Sequence, residues 1–168
     1  MKMNRRRFIV SGTQLSLAFG ALGSFAGAPG LAGASSEVTS HKVLARGVKF
    51  DPVFVFIEPG DQIEWENMAS HNVETIDEMV PEGQPKIKTK LGDNYFTTFD
   101  TVGIIVYKCT PHWGARMGGV ITVGTPDDPG GILDRYLAST EVVKKNLPAR
   151  GLIKKVRKEM EERGMVTA

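Results

Sequence analysis

The sequence predicts a mainly β chain: an antiparallel sandwich or barrel followed by two C-terminal α-helices. Three observations carry that expectation. From about Thr39 to Val123, short β-prone runs alternate with turn signals, and no amphipathic helical stretch exceeds about two turns. After a turn cluster at residues 125–131 the hydrophobic period changes from that of a strand to that of a helix. A length of 168 residues, 41% of them hydrophobic and 24% charged, suits a soluble chain with one sizeable core.

The elements follow in order. Val53-Phe54-Val55-Phe56-Ile57 is dense in β-branched and aromatic residues, Pro59-Gly60-Asp61 is a turn, and Gln62-Ile63-Glu64-Trp65 alternates polar with apolar. A second set runs from Tyr95 to Phe99, from Ile104 to Cys109 and from Gly119 to Val123. Between the sets, residues 77–93 contain Pro81, Gly83, Pro85 and Gly92 and read as a long irregular surface excursion with one helical turn. Ile132, Leu133, Tyr136 and Leu137 share one helical face, and Leu152, Ile153, Val156 and Met160 share another. Pro148 separates the two segments and Gly164 is placed to end the second. Both faces are expected to pack on the β body, with the charges beyond residue 126 forming a solvated surface.

The formal charge of +2 is too mild for a dedicated nucleic-acid binder, and its source is local. Residues 1–34 hold Lys2, Arg5, Arg6 and Arg7 and no acid, leaving 17 basic against 19 acidic side chains in the remainder. Asn4-Arg5-Arg6-Arg7-Phe8-Ile9-Val10, followed by an uncharged Gly-rich stretch, is similar to a twin-arginine export signal. The small residues Ala32-Gly33-Ala34 suit cleavage before Ser35. A retained membrane anchor is disfavoured because glycines, a proline, serines and Gln14 interrupt the apolar run. The expected organisation is therefore a leader at 1–34, a β domain at 35–126 and a helical extension at 127–168. Twin-arginine signals commonly serve proteins exported already folded, which points to a preloaded cofactor.

One cysteine, Cys109, excludes an intramolecular disulfide, a four-thiolate iron–sulfur or zinc site and a two-cysteine redox motif. Its neighbourhood is informative, because Cys109, His112 and Met117 place a thiolate, an imidazole and a thioether within nine residues. A tight loop with Pro111 and Gly114 can turn all three toward one point. His71, 38 residues before Cys109, is placed to supply a fourth donor from a facing loop. Two His, one Cys and a weak axial Met form the blue-copper set. Zinc competes, but structural zinc sites rarely recruit methionine, and a hydrolytic zinc site also needs an acid/base carboxylate, for which Glu74 is nearest in sequence. A Cys–His nucleophile pair is disfavoured, since a base only three residues on in the same loop is poorly placed.

On Ser70-His71-Asn72-Val73-Glu74-Thr75-Ile76, Met79-Val80-Pro81-Glu82-Gly83, Asp93-Asn94-Tyr95 and Tyr107-Lys108-Cys109-Thr110-Pro111-His112 with Met117, the sequence resembles the cupredoxins, and among them the pseudoazurins. The resemblance spans nearly all of the expected mature chain. It implies an eight-stranded Greek-key β-sandwich with two C-terminal α-helices, and one copper ion cycling between Cu(I) and Cu(II). It also implies His71, Cys109, His112 and Met117 as the metal ligands and Asn72 as the residue tying the two ligand loops together beside the thiolate. The loop departs from the family at Trp113, Ala115 and Arg116, and Arg116 puts a fixed charge near the metal.

The function expected is single-electron shuttling in the periplasm by a monomer, not catalysis, because four protein ligands leave no open position for substrate. The partners implied are transient redox proteins such as copper nitrite reductase, nitrous oxide reductase or a peroxidase. Lys108, Trp113 and Arg116, with Lys86, Lys88 and Lys90, are expected to form the docking rim. Two alternatives from other classes remain open: copper delivery or storage, and a small copper enzyme.

Overall fold

In the computed structural model, residues 38–139 and 141–167 are described; the leader and its cleavage site lie outside them. The β-prone runs form eight strands: β1 Ser40–Arg46, β2 Lys49–Asp51, β3 Phe54–Ile57, β4 Gln62–Glu66, β5 Glu74–Thr75, β6 Tyr95–Thr98, β7 Gly103–Lys108 and β8 Gly118–Val123. They make two four-stranded sheets with orders β2-β1-β4-β6 and β3-β8-β7-β5. Most pairings are antiparallel as expected. The exceptions are β1 with β4, where Val43 faces Trp65, and β3 with β8, where Val55 faces Ile121, so each sheet contains one parallel pair.

Burial along β7 and β8 explains their unbroken apolar sequences. Ile105, Tyr107, Ile121 and Val123 point between the sheets, while Ile104, Val106 and Val120 point to the other face of the same sheet. That outer face is covered by α1 Pro129–Ala138 and α2 Leu147–Glu162. Leu133 of α1 and Leu152, Ile153, Val156 and Met160 of α2 bury there, each such side chain contributing about 1.5–3 kcal/mol by removal from water. The predicted helical faces are therefore the faces that pack. Asp128 caps α1 by accepting from the Gly131 amide at 2.8 Å. Pro148 lies inside the first turn of α2 rather than between the helices, a position where its missing N–H costs nothing. Gly164, at φ +71°, ends α2 as expected.

The excursion at residues 77–93 is less superficial than its composition suggests. It contains the expected single turn, a 3-10 helix at Asp77–Met79, and it buries Met79 and Ile87. The Thr75 amide donates to the Ile87 carbonyl at 3.0 Å, and the Thr89 amide donates to that of Val73 at 2.9 Å. These bonds staple the excursion to β5 and to the chain that follows His71.

Candidate metal centre

Strand alternation delivers the thiol. Ile105 and Tyr107 face the sandwich interior, and Cys109, one residue past β7, continues their parity and is fully buried. The loop from Thr110 to Met117 then folds back on itself. His112 N–H donates to the Cys109 carbonyl at 3.2 Å, Met117 N–H to the His112 carbonyl at 3.2 Å, and Cys109 N–H to the Met117 carbonyl at 2.9 Å. Trp113–Ala115 forms one 3-10 turn, closed by Arg116 in the left-handed region at φ +65°. This closure returns Met117 to the core cluster that contains Cys109, with only 1% of its surface exposed.

His71 arrives from the loop after β4. Its backbone N–H donates to the Met68 carbonyl at 2.8 Å, and its carbonyl accepts from Gly92 N–H at 3.0 Å. Cys109 Sγ stands 3.6 Å from His71 Nδ1 and 3.4 Å from His112 Nδ1. A metal about 2.0 Å from nitrogen and 2.3 Å from sulfur separates such donors by roughly 3.5 Å, so the side chains are already spaced for ligation. The three donor atoms lie within 4.8 Å of one another. His71 Nε2 is 3.3 Å from Ser70 Oγ, a contact that holds the ring with Nδ1 toward the sulfur. Burial, and secondarily the nearby His112, keep the His71 imidazole below its ordinary pKa of 6.5, favouring the neutral ring that binds metals. His71 is buried whereas His112 is partly exposed, so His112 forms the solvent edge.

Asn72 bridges the two loops. Thr110 N–H donates to Asn72 Oδ1 at 2.7 Å, and Asn72 Nδ2 donates to Thr110 Oγ1 at 3.2 Å. Glu74 is not part of the donor cluster. Its carboxylate meets Lys108 Nζ at 3.2 Å and accepts from Thr110 Oγ1 at 3.4 Å. With no carboxylate in the cluster, the donor set is the soft one that copper favours and lacks the acid/base group of a hydrolytic zinc site. Lys108, so paired, is only 18% exposed. Trp113 packs among the residues under the helices, and its Nε1–H donates to Asn146 Oδ1 at 2.9 Å; Arg116 is exposed. Sequence reasoning missed Ser70, the pairing of Glu74 with Lys108, and Asn146. The Glu74–Lys108 pair follows from β5 and β7 register, where the two residues stand opposite one another.

A cupredoxin sandwich with a Cys-His-Met loop at its end defines a class, and comparison with known proteins bears this out. Residues 37–124 match the family of copper binding proteins of the plastocyanin/azurin type. Pseudoazurin of Paracoccus pantotrophus is 40% identical over 98 residues, covering 58% of this chain and 68% of that protein. Plastocyanin of Scenedesmus fuscus is 36% identical over 83 residues, 44% of this chain and 85% of that one. Among solved structures, pseudoazurin from Methylobacterium extorquens AM1 superimposes with a TM-score of 0.58 at 29% identity, covering 70% of this chain and 98% of the other. The chain belongs to the plastocyanin/azurin family of copper-binding proteins. Within it, the chain is a pseudoazurin-like cupredoxin, and its cofactor is copper.

Proposed function

We propose that this chain is a periplasmic blue-copper electron carrier, exported by the leader at residues 1–34 and cleaved before Ser35. His71, Cys109, His112 and Met117 hold the copper in this reading. Bound copper supplies reversible one-electron chemistry in a geometry acceptable to both of its oxidation states. The protein's part is to keep that geometry fixed. Cys109 and His71 are held in a close-packed interior that resists rearrangement on electron gain or loss, which favours rapid transfer. Asn72 locks the two ligand loops to each other, and His112 offers the edge through which the electron enters and leaves.

One observation carries the reading: a thiol and two imidazoles converge within 4.8 Å, largely buried, with no carboxylate among them. Partners are then transient redox proteins, of the kind to which copper nitrite reductase, nitrous oxide reductase and peroxidases belong, and contact is brief. The test is the visible spectrum and voltammetry of the copper-loaded protein. An intense thiolate-to-Cu(II) band with reversible one-electron cycling is expected. A colourless protein that holds only Cu(I) would identify a delivery or storage role, and an exchangeable water on the metal would identify an enzyme.

A further inference from the structure

The core between the sheets holds a run of oxidisable aromatic rings that the ligand set does not use. Cys109 and Tyr107 lie two residues apart on one inward-facing row, so the phenol stands one side chain along from the thiol. The Tyr107 ring meets that of Trp65 edge-on at 5.6 Å between centroids, and Trp65 stacks on Tyr95 at 6.0 Å. Register between β4 and β6 sets the second contact, since Trp65 and Tyr95 face one another there. Tyr107 and Trp65 have no exposed surface, whereas Tyr95 is partly exposed at the start of β6, an edge strand. The three rings therefore lead from beside the sulfur to solvent by a way that avoids His112.

The rings differ in what can become of a proton. No group among the described residues accepts the hydroxyl proton of Tyr107, so an oxidation cannot come to rest there as a neutral phenoxyl. Phe50, 5.1 Å from Tyr107, and Phe99, 6.3 Å from Trp65, flank the buried pair with rings that resist oxidation. Of the three oxidisable rings, only Tyr95 reaches water that can take its proton and return it. The run thus has a defined outer end.

We propose that Tyr95, Trp65 and Tyr107 form a second electron port, through which the reduced metal centre quenches small one-electron oxidising radicals that strike the surface at Tyr95. The inference rests on the electron-carrier reading and adds to it an acceptor class that needs no docked protein. The radical takes one electron from Tyr95 and leaves as its anion, and the phenol proton passes to water. One electron then moves from copper(I) through Tyr107 and Trp65 to the Tyr95 phenoxyl, which regains a proton from water, and copper(II) remains. The oxidising equivalent ends on a metal suited to both oxidation states instead of on a side chain.

The test attaches a ruthenium polypyridyl through Phe96→Cys, beside Tyr95 at a position 66% exposed, to the metal-loaded protein, in which Cys109 is buried. Oxidised by flash-quench, the ruthenium stands in for the radical. A tyrosyl signal is expected first, and the thiolate-to-Cu(II) band is expected to grow as that signal decays, at a rate independent of protein concentration. With redox-inactive zinc in place of copper the tyrosyl signal should persist. Trp65→Phe is expected to prolong the tyrosyl signal and slow the growth of the band, and Tyr95→Phe to lose the signal and slow the band as well. Tyr95→Phe removes only a hydroxyl from a partly exposed ring, so it decides the matter even if Trp65→Phe does not fold. Band growth as fast as wild type in the folded variants would overturn the inference and leave the carrier reading intact. The electron would then take another way, such as from Asn94, whose Oδ1 accepts from Met68 N–H at 3.3 Å, to His71. A copper(I) protein that even ferricyanide cannot oxidise would instead sink the carrier reading.

Discussion

Asn72 and Thr110, 38 residues apart, are joined by two hydrogen bonds, from Thr110 N–H to Asn72 Oδ1 at 2.7 Å and from Asn72 Nδ2 to Thr110 Oγ1 at 3.2 Å. Asn72 directly follows His71 and Thr110 directly follows Cys109, so this one side chain ties the spacing of the His71 loop to that of the Cys109 loop. Asn72→Ala removes both bonds and leaves the Thr110 amide without its acceptor. The expected cost is about 1–3 kcal/mol, read from the denaturant midpoint of the metal-free protein. A shifted reduction potential is expected in the copper-loaded form, because the amide that steadies the residue after Cys109 loses its partner.

Gly119 marks a second tight contact. A Cβ there would lie 2.5 Å from Cζ of Tyr107, whose ring is boxed in by Phe50 at 5.1 Å and Trp65 at 5.6 Å between centroids. Gly119→Ala therefore forces the ring or the strand to move, with an expected loss of about 1–3 kcal/mol in chemical denaturation. Tyr107→Leu opens space at the same spot. The double variant should lose less than the sum of the two single losses, and strict additivity would show that the two residues do not compete for that space.

What the sequence disclosed and what it hid divide along physical lines. Cys109, His112 and Met117 were legible because one loop holds three soft donors, and the helical faces because Leu133, Ile153 and Val156 repeat at the period that packing demands. β1 was not singled out as a strand. Ser40–Arg46 has a weak β signature and owes its conformation to pairing on both sides, with β2 and in parallel with β4. β5, two residues long, exists because β7 lies beside it. The bond from Trp113 to Asn146 spans 33 residues and leaves no local trace, so from sequence Trp113 was read as an aromatic beside a ligand and a member of the docking rim, not as an anchor to the helices. The grouping of Lys49, Arg116 and Arg150 along two adjoining clefts was hidden for the same reason, since these cations come together only in the fold.

Asp61 makes stability depend on acid pH. Its carboxylate is held below the ordinary value of 3.8 chiefly by the hydrogen bond to His41 at 3.0 Å, then by the amides of Glu58 and Thr39. A folded pKa lower than the unfolded one means that the stabilisation is complete above the unfolded value and is withdrawn as pH falls through the folded one. The metal-free protein should therefore lose stability progressively below about pH 4. Asp61→Asn should be less stable at neutral pH and show a flatter profile across that acid range. Parallel profiles for the two proteins in urea titrations would show that Asp61 is not the group responsible.

The ligand set makes unequal demands on its members. Cys109→Ser exchanges a soft, covalently coupled sulfur for a hard hydroxyl, so the visible charge-transfer band should vanish even if copper still binds. Met117→Leu keeps a buried side chain of similar volume at a position with 1% exposure, so the fold should hold within about 1.5 kcal/mol and the band should persist. Loss of the thioether removes a weak donor to the oxidised metal, and the reduction potential should rise. His71→Gly and His112→Gly separate the buried from the exposed imidazole. Added imidazole should rescue the band readily in the His112 variant, where solvent reaches the vacancy, and poorly in the His71 variant, where the native side chain is only 7% exposed. Equal rescue of both would mean that His71 is no more shielded than His112, and would count against the proposed passage of electrons through the His112 edge.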